Sequence, residues 1–229
     1  AFQNKKIVQL ALGKHHTLIL VDTGQVYVVG QGILGNGKID RYTTPQQIES
    51  FKHRSIQCIA ANATSSCAID SEGQLFSWGA GFLATGVLDD EQMEPTKVAT
   101  STRFKSVVIG YNCIFAISID QALYSAGLNM NGSLGHGSMV ESESELKKIE
   151  FFSDNNIKIR DVGLSTETAV GPIAAIDTKG KIWSWVKQRY FYTKKEIENN
   201  LFSPYYTFPI KNVVKLGCSG CSMIAMTSR

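Results

Sequence analysis

The chain has 229 residues, 43% of them apolar and 19% charged, with a formal net charge of +3. This composition suits a soluble globular unit able to bury a core and excludes a disordered or low-complexity chain. No apolar run reaches the roughly 18 residues of a membrane helix, no leader with a basic start and apolar body is present, and so small a charge does not argue for a nucleic-acid partner.

From the N-terminal side, a strand ending at Gly13 is followed by a second, "HTLILV". A turn with Asp and Gly then leads into a third, "GQVYVVG" at 24–30, and a glycine-rich loop, "GQGILGNG" at 30–37, precedes a fourth strand around Pro45–Ile48. Short runs of Val, Ile, Tyr and Phe broken by Gly, Asn and Asp are strand and turn chemistry, and nothing has a long helical period. The pattern then returns. "GQLFSWG" at 73–79, "QALYSAG" at 121–127 and "GKIWSWV" at 180–186 repeat the third strand, with an aromatic always in its fourth place: Tyr27, Phe76, Tyr124 and Trp183. The aligned turn positions 24, 73, 121, 180 and 228 are spaced 49, 48, 59 and 48 residues apart, a period near 48 with one insertion. First strands are expected to end at Gly13, Asn62, Gly110, Gly163 and Gly217, and later fourth strands to lie around Pro95–Val98, Leu146–Ile149 and Phe208–Lys211.

Four short strands per copy make one small sheet per copy. No helix covers either face of such a sheet, so its apolar residues can be buried only by stacking sheets radially, as a propeller does. The sequence therefore reads as all-β: a β-propeller of four-stranded blades in one domain or segment, with copies at 8–54, 55–103, 104–158 and 159–211 and a partial copy at 212–229. WD-type repeats are shorter and end in a Trp-Asp pair that is missing here, and kelch repeats carry a Gly-Gly pair that is also missing.

The columns resemble the regulator of chromosome condensation repeat. Copy one supplies Gly13, His16, Thr17, Leu18, Asp22, Gly24, Tyr27, Gly30 and the loop Gly32-Ile33-Leu34-Gly35. Copy two supplies Gly73, Phe76, Ser77, Trp78 and Gly79, and copy three supplies Gly110, Tyr124, Gly127 and Gly132-Ser133-Leu134-Gly135. Departures are Asn62 for the first glycine, Ala84 in the second loop, Ala126 where Trp is usual, and "VKQRYFYTKKEIENN" where copy four should carry its glycine loop. The resemblance implies a seven-bladed parent, so four and a half copies are expected to be a segment of a longer protein, the alternative being an incomplete or unusually small propeller that closes on itself. It also implies two functional classes: a non-catalytic protein-interaction scaffold, or a guanine-nucleotide exchange factor that presses a wedge into a Ran-type small GTPase. The scaffold is favoured, because the copies are degenerate and incomplete.

Candidate chemistry is sparse. Five cysteines leave at least one unpaired and read as small apolar fillers in a reducing compartment, hence an intracellular place, cytoplasm or nucleus. Cys218-Ser-Gly-Cys221 resembles a redox or zinc element. It is read as lying between two strands, aligned with Lys14–Thr17, rather than opening a helix, and it lacks a second ligand pair. His16 falls in a repeat column and reads as part of a turn. The glycine loops lack the Lys-Ser or Lys-Thr of a phosphate cradle. No catalytic residue, metal ligand or cofactor is expected, and chromatin or nucleic acid is an unfavoured partner. The acidic-then-basic "ESESELKK" at Glu141–Lys148 reads as a solvated loop. The sharpest candidate for binding a protein partner is Lys187, Arg189, Tyr190, Phe191, Tyr192, Lys194 and Lys195, where cations and aromatics gather in place of a plain turn.

Overall fold

The computed structural model of the chain describes residues 2, 4–88, 90–137, 140–164, 173–185, 205–208, 213–219 and 222–227. The first sheet is β1 (Ile7–Leu12), β2 (His16–Val21), β3 (Val26–Ile33) and β4 (Ile39–Gln47). The second is β5 (Ile56–Ala61), β6 (Ser65–Asp70), β7 (Leu75–Gly81) and β8 (Asp90–Lys97), and the third is β9 (Phe104–Ile109), β10 (Cys113–Ser118), β11 (Leu123–Leu128) and β12 (Ser142–Lys148). The fourth is β13 (Ile159–Leu164), β14 (Ile173–Asp177), β15 (Ile182–Trp185) and β16 (Tyr205–Phe208), followed by the pair β17 (Val213–Ser219) and β18 (Ser222–Thr227). Each four-stranded sheet is an antiparallel meander in chain order, so four full blades and part of a fifth are present.

Strand register shows that the copies share detail as well as pattern. A bulge recurs at one place in every first pair, between Ile7 and Gln9, Ile56 and Cys58, Ile159 and Asp161, and Val213 and Lys215, and opposite Ile117 and Ser118 in the third sheet. A second bulge marks the pairing of third and fourth strands at Val28/Gly30, Ser77/Gly79 and Ser125/Gly127. Bulges at fixed places give each blade the same added twist. The glycine at this second bulge is required: a Cβ on Gly79, with φ at +105°, would stand 2.3 Å from the carbonyl oxygen of Thr64.

Burial follows from this register. Ile56, Ile59 and Ala61 of β5 face back into a cluster with Leu18, Leu20, Val26, Val28 and Leu34 of the first sheet. The next seam joins Cys67, Ile69 and Leu75 to Phe104, Val107 and Ile109, and another joins Phe115, Ile117 and Leu123 to Ile159, Val162 and Leu164. Each fully buried aliphatic or aromatic side chain contributes about 1.5–3 kcal/mol, so the core lies between blades, not within any one of them. Phe51 and Phe152, carried by a 3-10 turn at Glu49–Phe51 and a short helix at Glu150–Asp154, fill two seams edge-on to Trp78 and Trp185.

Four details differ from the sequence reading. The fourth strands begin well before the prolines, because an outer strand pairs on one side only and tolerates charges on the other. For the same reason "ESESELKK" lies almost wholly on β12 and is not a loop. Gly163 and Gly217 pair with Ala174 and Ile224 within their sheets, at the position of Ala11, and do not end their strands. That shift places Cys218 at the column of Leu12, on β17, while Cys221 lies outside the described residues.

Candidate interaction surface

In an antiparallel meander, the turn joining the first two strands and the loop joining the last two emerge at the same end of the sheet. Hydrogen bonds across the seams show which ends of neighbouring sheets meet. The amides of Gly37 and Gly86 donate to the carbonyls of Met93 and Ser144 at the end bearing the glycine-rich loops. At the opposite end, the amides of Ile56 and Phe104 donate to the carbonyls of Gly24 and Gly73.

The opposite end is a clamp. The Arg54 guanidinium pairs with the buried Asp70 carboxylate at 3.0 Å, Arg103 donates to Gln74 Oε1 at 3.0 Å, and Lys158 Nζ donates to the carbonyl of Asp120 at 2.9 Å. Asp70 Oδ1 also accepts from the amides of Glu72 and Gln74, and Asp177 Oδ1 from those of Lys179 and Lys181, which fixes the turns. These polar groups are committed to the frame.

The titratable residues singled out in the sequence are committed in the same way. Nε2 of His16 is 2.8 Å from Ser66 Oγ on the next sheet, and burial, with a smaller push from His15, lowers its pKa to about 4. His136 lies 3.0 Å from Ser125 Oγ, which itself donates to the carbonyl of Leu134. Among the described residues, neither Ser–His pair is joined by a hydrogen bond to a carboxylate, so neither has the third member of a triad. Burial raises the thiols of Cys58, Cys67 and Cys113, the last to about 12, which makes them inert fillers. No three His, Cys, Asp or Glu side chains among the described residues are grouped to hold a metal. Lys187, Arg189, Tyr190, Phe191, Tyr192, Lys194 and Lys195 all lie outside the described residues.

A groove of about 460 Å³ opens on the first sheet, lined by Lys14, His15, Thr17, Val29, Arg41 and Tyr42 among others. Its place is explained by register. Val29 occupies the column of Trp78, and Thr43 that of Met93, the positions over which Leu34–Gly37 of the preceding sheet lie in the second blade. The groove thus occupies on the first sheet the place that Leu34–Gly37 cover in the second blade. It continues along the same face into Ile7, Leu10 and Leu12, which are 44–69% exposed, whereas Ile56, Ile59 and Ala61 in the same columns are at most 9% exposed.

Outside that face, six exposed large apolar side chains stand at the loop-bearing end, Ile39, Val87, Leu88, Tyr111, Met130 and Val140, while Ile119 stands in the β10–β11 turn at the opposite end, and Val8 and Met226 lie on β1 and β18. Ile39 opens β4, and the other five occupy loop positions, where strand periodicity gives no sign of them.

A model of the regulator of chromosome condensation (RCC1) repeat matches residues 23–69; the first-pair bulge recurs in all five copies and the bulge between third and fourth strands in the first three. Residues 23–69 therefore carry an RCC1 repeat, and the chain is similar to proteins built from that repeat. The ultraviolet-B receptor UVR8 of Arabidopsis thaliana is 29% identical to this RCC1-repeat chain over 241 residues, covering 100% of the chain and 52% of UVR8. The guanine nucleotide exchange factor SRM1 of Saccharomyces cerevisiae is 29% identical over 175 residues, covering 70% of the chain and 36% of SRM1. The crystal structure of Prp20p from the same yeast, described with its binding to Gsp1p and histones, superposes with a TM-score of 0.78. It is 22% identical, with 98% of this chain and 56% of that chain covered, a likeness that shows the fold. The chain spans about half the length of UVR8 and about a third of SRM1.

Proposed function

We propose that this RCC1-repeat chain is one propeller-type unit acting inside the cell as a non-catalytic protein-interaction scaffold. One observation carries this reading. Among the described residues, the polar and titratable groups singled out above are spent on bonds within turns, sheets and seams, whereas the loop-bearing end carries exposed apolar and aromatic side chains. Exposed aromatic, Met and aliphatic groups on a rigid frame are what recognition surfaces use. By composition alone, Lys187, Arg189, Tyr190, Phe191, Tyr192, Lys194 and Lys195 form a second contact of the same scaffold.

Guanine-nucleotide exchange is the second reading, favoured by the similarity to SRM1. The histones bound by Prp20p keep a chromatin-associated partner within the protein class, without requiring contact with nucleic acid. Release of labelled GDP from a Ran-type GTPase separates the readings. The scaffold predicts no acceleration by the full chain at micromolar concentration, and a several-hundredfold acceleration would replace it with exchange.

A further inference from the structure

We infer that the loop-bearing end of the second and third blades docks a cationic, apolar protein segment, Lys- or Arg-rich around Leu or Phe side chains. This rests on the scaffold reading and names the end used and the chemistry of the partner.

Backbone bonds tie together the segments that carry the apolar centre. Tyr111 stands in the turn beside Asn112, whose carbonyl accepts from the amide of Leu128. Asn129 follows, its amide donating to Glu141 O and its side-chain Nδ2 to Val140 O at 2.7 Å, which draws Met130 and Val140 to the same place. From the second blade, the Gly86 amide reaches the Ser144 carbonyl on β12, which brings Val87 and Leu88 to that edge. Tyr111, Met130, Val140, Val87 and Leu88 are each 41–56% exposed. A patch of this composition is a docking surface more often than a bare exterior.

Charge selects the occupant. Glu91 and Glu141 flank the patch at the starts of β8 and β12, both exposed and in no ion pair among the described residues. Asp90 beside them is held as a carboxylate by Thr85 and Gln92, its pKa lowered first by the Thr85 hydroxyl. In the same columns the first sheet carries Asp40, pulled down to about 2 chiefly by the Arg41 amide, and then Arg41 itself. The negative rim therefore belongs to the second and third blades. It repels a phosphate backbone and favours Lys and Arg around an apolar anchor.

The test uses the full chain and a fluorescein-labelled 15-residue peptide alternating Lys with Leu and Phe, with a Lys→Gln version as control, read by anisotropy at two salt concentrations. The chain should bind the Lys peptide and lose about tenfold in affinity in a Tyr111→Ser/Met130→Ser/Val140→Ser variant. A Glu91→Gln/Glu141→Gln variant should lose about three- to fivefold, with a flatter salt dependence. These residues are exposed, so unchanged far-UV circular dichroism should accompany both losses. Equal binding of the Gln peptide, or full binding by either variant, overturns the inference. So does self-association on sedimentation that the Glu91→Gln/Glu141→Gln variant abolishes, since a second copy would then be the occupant. Failure here with no GDP release leaves the scaffold standing without this surface, whereas GDP release removes the scaffold itself.

Discussion

Two departures from the repeat, Ala84 in the second loop and Ala126 in the tryptophan column, are one substitution spread over a seam. Where the column holds Trp78, the preceding loop brings Gly35 against it, and where it holds Trp185, the loop brings Gly135. In both cases a Cβ on the glycine would stand 3.0 Å from the indole Nε1. In the seam between these two, the pair is Ala84 and Ala126, which share a buried cluster at 5% and 1% exposure. Ala84 holds a left-handed φ of +56°, which costs about 1–2 kcal/mol against glycine. Ala126→Trp alone should therefore drive an indole into the Ala84 methyl and destabilise by about 1–3 kcal/mol. Ala84→Gly alone should come near neutral, relief of strain offsetting roughly 0.8 kcal/mol of lost methyl burial. Together they recreate the flanking seams, so the double variant should recover about 1–2 kcal/mol relative to the sum of the singles. Urea unfolding of the four proteins, followed by circular dichroism so that the new tryptophan does not bias the signal, closes the cycle. Additivity within about 0.5 kcal/mol would refute the pairing.

Further outcomes follow from the same seams. Ile59→Ala should cost about 2–4 kcal/mol, while Leu10→Ala in the same column should cost under about 0.5 kcal/mol; equal losses in thermal unfolding would contradict the register. His16 has a folded pKa of about 4 against 6.5 unfolded. The unfolded chain therefore binds the extra proton between those values, and this contribution is complete above pH 6.5 and lost as pH falls toward 4. A drop of up to about 3 kcal/mol over that window, absent in His16→Gln, is expected from chemical denaturation at stepped pH. Gln121 holds a φ of +70° where the neighbouring turns use Gly73 and Gly180, so Gln121→Gly should raise stability by about 1 kcal/mol, read as a higher melting temperature.

Architecture was legible because burial and backbone geometry leave few residue choices. The aromatic column, the glycines at +φ and the near-48 period all report constraints that return in each blade. Phe51 and Phe152 were missed because short connecting turns carry no periodicity, although "ESF" and "EFF" stand at matching places in copies one and three. The start of β12 was missed because an outer strand makes one set of ladder bonds and is free to carry Glu and Lys. The apolar loop end was missed for a related reason: Tyr111, Met130 and Val140 obey no column, and a single exposed Met or Tyr in a sequence is indistinguishable from one that packs. The bonds of Asn112 and Asn129 bring these segments together.

The two ends of the blades therefore answer to different demands. At the clamped end, Arg54, Asp70, Gln74, Arg103 and Lys158 tie the turns to the connecting segments, and loss of Arg54 leaves the buried Asp70 carboxylate without its cation. At the loop end, the seams are closed by backbone bonds from Gly37 and Gly86, which constrain glycine positions but leave the side chains after them free. Substitutions such as Glu91 for Arg41, or Tyr111 for Lys14, cost the frame nothing and alter only what the end can bind. Family columns thus transmit the fold without transmitting a partner. Two blades of one chain thus carry opposite charge at one position, Arg41 and Glu91, without disturbing the seam between them.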